Sequence, residues 1–286
     1  MTQKTTDDKA LGRLTGQVAF VTGAARGQGR SHALRMAQEG ADIIAVDVCA
    51  PVRGLKYSIS DRDDLDETVR LVRETGRRII TAVIDVRDAA ALRAFVSESV
   101  AELGRLDVVA ANAGISCGGL AHELPAEDWR TVIDVNLTGV WNTCSAAIPH
   151  LIQGGRGGSI VITSSALGLR GMQKCSAYAA SKHGVVGLMR ALAIELGPHS
   201  IRVNSIHPSQ VNTPMIMNDE VYRLFAPDLA APTQEDFAVR SSTMHTLPAP
   251  WVEPNDISEA VLYLSSAAGR FVTGIALPVD AGNVMR

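Results

Sequence analysis

The chain has 286 residues, 46% of them apolar, with 27 basic and 30 acidic side chains and a net charge of −3. That is enough apolar matter for the core of one large α/β domain. Neither the charge balance nor any basic run offers a surface for nucleic acid or for an anionic membrane.

No apolar run is long enough to cross a bilayer, and the polar stretch 1–15 lacks the apolar centre of a signal peptide. A cytoplasmic protein is expected, with a flexible tail over 1–15 and one domain over 16–286. The four cysteines, Cys49, Cys117, Cys144 and Cys175, form no Cys-x-x-Cys pair and no zinc spacing. They are expected as reduced and mostly buried thiols, with no metal.

In chain order, a β-branched run predicts a buried strand at 18–22, followed by a helix over 27–38 and a second strand over 42–46 that ends at Asp47. A helix at 64–74, a strand at 79–84, a helix at 89–103 and a strand at 106–111 follow. Two long helices, 126–151 and 175–196, flank a strand at 159–163, and further strands are expected at 201–206 and 275–279. This alternation predicts a doubly wound parallel sheet of the Rossmann type, with helices on both faces and a ligand outside the carboxyl ends of the strands. Two segments are long for loops: 48–63, and 209–254 with its many prolines, the latter expected as a substrate lid.

Gly23, Arg26, Gly27, Gln28 and Gly29 join the first strand to the first helix. Glycines there allow a pyrophosphate close to the backbone, at a helix N-terminus whose N–H groups and dipole favour an anion. The spacing is G-x-x-x-G-x-G, and a purely structural turn is the competing explanation. Asp47 ends the second strand 18 residues after Gly29. A carboxylate there accepts from adenosine ribose hydroxyls and repels a 2′-phosphate, favouring NAD over NADP. Arg26 is a counter-signal, expected to swing into solvent, and a cap or turn role for Asp47 is the plain alternative. Asp85 and Val86 suit contact with adenine, or Asp85 equally caps the next helix. Asn112, Ala113 and Gly114 form a small-residue turn that lets a cofactor pass.

Tyr178 and Lys182 are four apart on a helix and share a face. Lowering a tyrosine pKa from about 10 to about 7 needs roughly 4 kcal/mol. A lysine ammonium about 4 Å away supplies about that at an effective dielectric of 20. Ser165, thirteen residues earlier at a strand end, can hydrogen-bond a substrate oxygen, with Ser164 as the neighbouring alternative. Asn136 is a poor residue for the middle of a helix, so a specific role is expected, or a buried amide tying helices together. His207 is read as structural.

The glycine loop, Asn112-Ala113-Gly114, Asn136, Ser165 and Tyr178-x-x-x-Lys182, in this order and spacing from Val18 to Gly282, resemble the short-chain dehydrogenase/reductase family. The stretch from Gly23 to His32, the insertion after Asp47 and Val211-Asn-Thr-Pro-Met215 resemble more narrowly its mycofactocin-coupled, carveol-dehydrogenase-like group. The resemblance implies an NAD-dependent oxidoreductase with Tyr178 as general acid/base, Lys182 on the nicotinamide ribose, and Asn136 holding a proton-relay water. It implies a tightly held, poorly exchanging NAD, and an external redox carrier is a possible partner. The family's Pro-Gly is here Pro208-Ser209, which shifts the expected nicotinamide contact to Val211 and Thr213.

The expected substrate walls are 116–120, 167–173 and 215–225, carrying Met172, Met215, Met217, Leu224 and Phe225. Met-rich walls suit irregular apolar shapes, so a neutral, hydrophobic secondary alcohol or ketone is expected. The two long helices carry apolar residues on several faces, Val132, Val135, Val140 and Trp141 on one and Val185, Val186, Leu188 and Leu192 on the other. A symmetric oligomer, expected as a homotetramer, would cover them. The alternatives are a non-catalytic dinucleotide-binding regulator and an NADP-dependent carbonyl reductase.

Overall fold

The computed structural model describes residues 12–55 and 57–286. The β-branched runs pair as seven parallel strands: β1 (Val18–Thr22), β2 (Asp42–Asp47), β3 (Ile79–Val83), β4 (Val108–Ala111), β5 (Gly158–Thr163), β6 (Ile201–Pro208) and β7 (Ala276–Val279). Their order is β3-β2-β1-β4-β5-β6-β7. The winding reverses between β1 and β4, which opens a crevice at their carboxyl ends.

Helices α1 (Gly27–Gln38), α2 (Arg62–Glu74), α3 (Ala89–Leu103), α4 (Ala126–Ile133), α5 (Gly139–Gly154), α6 (Ser176–Leu196), α7 (Asp219–Phe225), α8 (Gln234–Ser242) and α9 (Pro254–Ser265) complete the described chain. Strand side chains alternate between two cores. Phe20, Ile44, Val46, Ile160 and Ile162 face α3, α5 and α6, whereas Ala19, Val21, Ile43 and Val161 face α1 and α9. Both faces of the sheet are dry, as a parallel sheet requires.

Four expectations change. Of the expected tail, residues 1–11 lie outside the described residues. Residues 12–15 are packed: Leu14 is fully buried, and its N–H reaches the Glu39 carbonyl at the end of α1. The single helix expected over 126–151 is interrupted by a π-helical turn, Asp134–Thr138, with Asn136 at its centre. The segment 209–254 is not one open lid, because it contains α7 and α8, and Phe237 is fully buried against Tyr222, Phe225 and Trp251. The helix α9 was not anticipated, although Pro254 at its first turn and the Glu253/Asp256 capping box mark its start.

The apolar residues that suggested an oligomer are mostly consumed inside the protomer. Val132, Val135, Val140, Val185, Val186 and Leu192 are all buried, leaving Leu188 partly buried and Trp141 half exposed.

Candidate active site

The glycine loop leaves β1 and enters α1 under tight steric control. Gly23 and Gly27 have φ of +67° and +57°, in the left-handed region. A Cβ on Gly29 would sit 1.9 Å from the Gly23 carbonyl oxygen. These glycines are therefore required by the turn itself. The loop also borders a cleft with Asp47, Asp85, Val86, Asn112, Ala113, Gly114 and Thr213.

Asp47 is buried and fastens two segments. One oxygen accepts from the Ala25 N–H of the glycine loop at 2.9 Å; the other accepts from the Ser60 hydroxyl at 2.6 Å. Arg26 does not swing into solvent. Its guanidinium donates to the Ser58 carbonyl in the insertion, and Asp64 lies 4.0 Å away. Asp85 is gripped by the Arg87 guanidinium, which holds its carboxyl below the usual range against the opposing effect of burial. It does not cap α3; Asp88 does, accepting from Ala90 and Ala91.

Asn112 staples three strand ends. Its amide donates to the Thr22 carbonyl at 3.1 Å, its oxygen accepts from the Thr163 hydroxyl at 3.2 Å, and its backbone N–H reaches the Thr22 hydroxyl. Ala113 and Gly114 thus run past the crevice at a fixed height.

A second chamber adjoins the cleft. It is bordered by Ser165, Tyr178, Lys182, Pro208, Val211 and Thr213 and shares Gln28, Asn112 and Gly114 with the cleft. Both serines border the chamber; Ser164 spends its proton on the Lys182 carbonyl at 2.9 Å, whereas Ser165 Oγ accepts from the Leu167 N–H at 3.1 Å and keeps its own proton for the chamber. The Ser165 carbonyl is held by His207 Nδ1 at 2.7 Å, while His207 Nε2 meets the Ser205 hydroxyl at 2.8 Å. A carbonyl can only accept, so Nδ1 carries the proton and Nε2 accepts from Ser205. His207 is structural, as expected, and burial pushes its pKa down to about 4.

Burial pushes the Tyr178 phenol up to about 12, with the Ser165 hydrogen bond acting in the opposite direction. This differs from the expected lowering by Lys182. The ammonium donates to the Thr163 carbonyl at 2.8 Å and stands 5.6 Å from the centre of the Tyr178 ring. Burial lowers the Lys182 pKa to about 8. Two of its three N–H groups have no partner among the described residues. Asn136 clamps Ile115, accepting from its N–H at 2.8 Å and donating to its carbonyl at 2.9 Å, and also donates to Ser181 at 3.2 Å. This is the tie between elements that a buried amide was expected to make.

The site also fits a bound dinucleotide on grounds independent of the motif. Gln28 borders both cavities, and its Oε1 atom is sealed from solvent with no hydrogen-bond partner among the described residues. A buried acceptor without a donor is costly. A ligand hydroxyl or amide at the junction would supply one.

An outer chamber is bordered by 116–120, Met215, Val221 and Leu224. Two expected walls are misplaced. Lys174 and Cys175 stand where 167–173 was expected, and Phe225 packs edge-on against Phe237 at 4.9 Å instead. Met215 borders all three cavities. Tyr57 was not anticipated; only the length of the insertion hinted that something reaches inward from it. Among the described residues no helix is long and apolar enough to cross a membrane, and no His, Cys, Asp and Glu cluster suits a metal.

The short chain dehydrogenase family model matches residues 17–221. The chain is 55% identical to (-)-trans-carveol dehydrogenase of Rhodococcus erythropolis, over 96% of this chain and all of that one. It is 47% identical over 95% of its length to an uncharacterized NAD-dependent oxidoreductase of Mycobacterium tuberculosis, 97% of which is covered. Carveol dehydrogenase from Mycobacterium avium in complex with NAD superposes with a TM-score of 0.95 at 56% identity, covering 96% of this chain and all of that one. A short chain dehydrogenase from Mycobacterium paratuberculosis bound to NAD gives 0.89 at 48% identity, again covering 96% of this chain and all of that one. With its parallel sheet, its glycine loop and its Ser165, Tyr178 and Lys182 in one chamber, this chain belongs to the short-chain dehydrogenase family.

Proposed function

We propose that this chain is an NAD-dependent alcohol dehydrogenase that oxidises hydrophobic secondary alcohols of terpene-like or steroid-like shape, or reduces the matching ketones. The observation that carries the reading is the convergence of Ser165, Tyr178 and the under-bonded Lys182 in a chamber continuous with the glycine-loop cleft.

When bound, NAD+ would supply the hydride acceptor and a positive charge to the site. Gly23, Arg26, Gly27, Gln28 and Gly29 would hold its pyrophosphate side, Asp47, Asp85 and Val86 its adenosine side, and Asn112–Gly114, Pro208, Val211 and Thr213 its nicotinamide side. The two free N–H groups of Lys182 suit ribose hydroxyls. Ser165 fixes the substrate oxygen, and Tyr178 takes or gives its proton. With a phenol pushed up to about 12, Tyr178 enters as the acid in ketone reduction. In alcohol oxidation its deprotonation needs the additional positive charge that the cofactor brings. Asn136 holds the 115 backbone in place next to this route, and a relay water on its remaining lone pair belongs to the same reading.

Arg26 is engaged with Ser58, which leaves little to pair with a 2′-phosphate and favours NAD over NADP. A tightly held NAD re-oxidised by an external, mycofactocin-type carrier is part of this proposal on the resemblance of the motifs, and a homotetrameric assembly and a cytoplasmic location complete it.

The test is to denature the purified, dialysed protein, identify the released nucleotide by mass, and screen secondary alcohols with an artificial redox dye. Released NAD and dye reduction are expected. A protein that binds NAD and oxidises no alcohol would be a regulator instead.

A further inference from the structure

The insertion between β2 and α2 brings Tyr57 across the site to Ser116, 59 residues further along the chain. The Ser116 N–H donates to the phenolic oxygen at 3.1 Å. Ser116 follows Ile115, whose backbone is held on both sides by Asn136. The phenol is therefore anchored to the rigid part of the site, although it arrives on a loop.

Tyr57 borders both the cofactor cleft and the outer chamber and forms the partition between them. Its oxygen is occupied as an acceptor, while its own proton finds no acceptor among the described residues. Burial pushes its pKa up to about 12, so it remains a donor at any working pH. Its surroundings in the outer chamber mix apolar Leu120, Val221 and Leu224 with polar Glu123, Lys174 and Arg223. Tyr178 is near enough to bear on the ionisation of Tyr57. The outer chamber and the Tyr178 chamber share Met215, so a molecule spanning both would meet two phenols, one committed to the reacting oxygen and one with a spare proton.

We propose that Tyr57 is a specificity-determining residue that donates a hydrogen bond to a second oxygen of the substrate, so that ring alcohols carrying an acceptor remote from the carbinol are preferred. This rests on the alcohol dehydrogenase reading above. A ring held at both ends presents its carbinol to Ser165 and Tyr178 in one orientation, and the partition keeps it out of the cofactor cleft. A neutral hydrogen bond is worth about 1 kcal/mol, roughly a fivefold effect.

The experiment compares cyclohexanol with 4-hydroxycyclohexanone in the dye-coupled assay, using NAD-loaded wild type and Tyr57→Phe. The wild type is expected to favour the keto alcohol. Y57F is expected to lose about fivefold in kcat/KM for the keto alcohol, mainly through KM, and to stay within twofold for cyclohexanol. Retained NAD is expected to be unchanged and the melting temperature to fall only slightly, because the part-buried Ser116 N–H loses its acceptor, so the substrate-selective loss separates this role from a structural one. Equal effects on the two alcohols, no effect on either, or loss of NAD from Y57F would each overturn the assignment. A wild type that oxidises neither alcohol, nor any other in the screen, rejects the dehydrogenase reading and the inference with it.

Discussion

Asn136 and Ile115 are joined by a reciprocal pair of hydrogen bonds, 2.8 Å into the side-chain oxygen and 2.9 Å out of the side-chain nitrogen. The π-helical turn puts the amide there, because one extra residue in the turn pushes Asn136 off the regular α-helical face. Replacing Asn136 with Ala leaves both Ile115 groups unpaired in the interior. We expect a loss of about 1–3 kcal/mol of stability, measured by chemical denaturation. Asn136→Asp should recover only part of it, because a carboxylate cannot donate to the Ile115 carbonyl. Wild-type stability in the alanine variant would mean that the clamp contributes nothing.

Tyr178→Phe removes the phenol hydrogen-bonded to Ser165. Turnover should fall by at least about 10². The melting temperature and the amount of bound NAD should stay at wild-type values. Residual turnover within tenfold of wild type would move proton transfer to another group.

Asp47→Ala should relax the preference for NAD over NADP in a fluorescence binding titration. It should also lower stability by about 1–2 kcal/mol, since Ala25 and Ser60 lose a shared acceptor. An unchanged cofactor ratio removes Asp47 from the adenosine site.

Gln28→Leu preserves size while deleting the orphaned acceptor. If Gln28 Oε1 meets the dinucleotide, the variant should release NAD faster in exchange with labelled NAD. If that atom serves no ligand, the same change should be neutral or stabilising to the protein and leave release unaltered.

Two histidines make the fold acid-sensitive. Burial depresses His32 to about 3 and His207 to about 4, against an unfolded value near 6.5. The unfolded chain therefore binds more protons between those limits. The stability they contribute is full above about pH 6.5 and is lost as pH falls towards 4 and then 3. Urea titrations at pH 7 and pH 5 should show it, and H207N should flatten the slope over that interval relative to wild type.

The parts of the site readable in the sequence are those fixed by local geometry. Tyr178 and Lys182 share a face because they are one helical turn apart, and the glycine loop joins a strand to a helix within eight residues. Ser165 needed only the spacing; the spending of the Ser164 proton on α6 explains the choice. What the sequence withheld was tertiary. Nothing local to Tyr57 says that it ends at Ser116, nor that Phe225 turns to Phe237 and away from the outer chamber. The upward push of burial on the Tyr178 phenol is likewise tertiary, as is the turning of the Lys182 ammonium to the Thr163 carbonyl. The mid-helix Asn136 signalled a special role without revealing that the helix itself changes pitch around it.

Asp47 holds the glycine loop with one oxygen and the insertion, through Ser60, with the other. Any lineage that altered its nucleotide preference by changing this one residue would unfasten both segments together. On the proposed adenosine role of Asp47, cofactor choice and the anchoring of the insertion would be inherited as a single trait, and a descendant could trade one only by rebuilding the other.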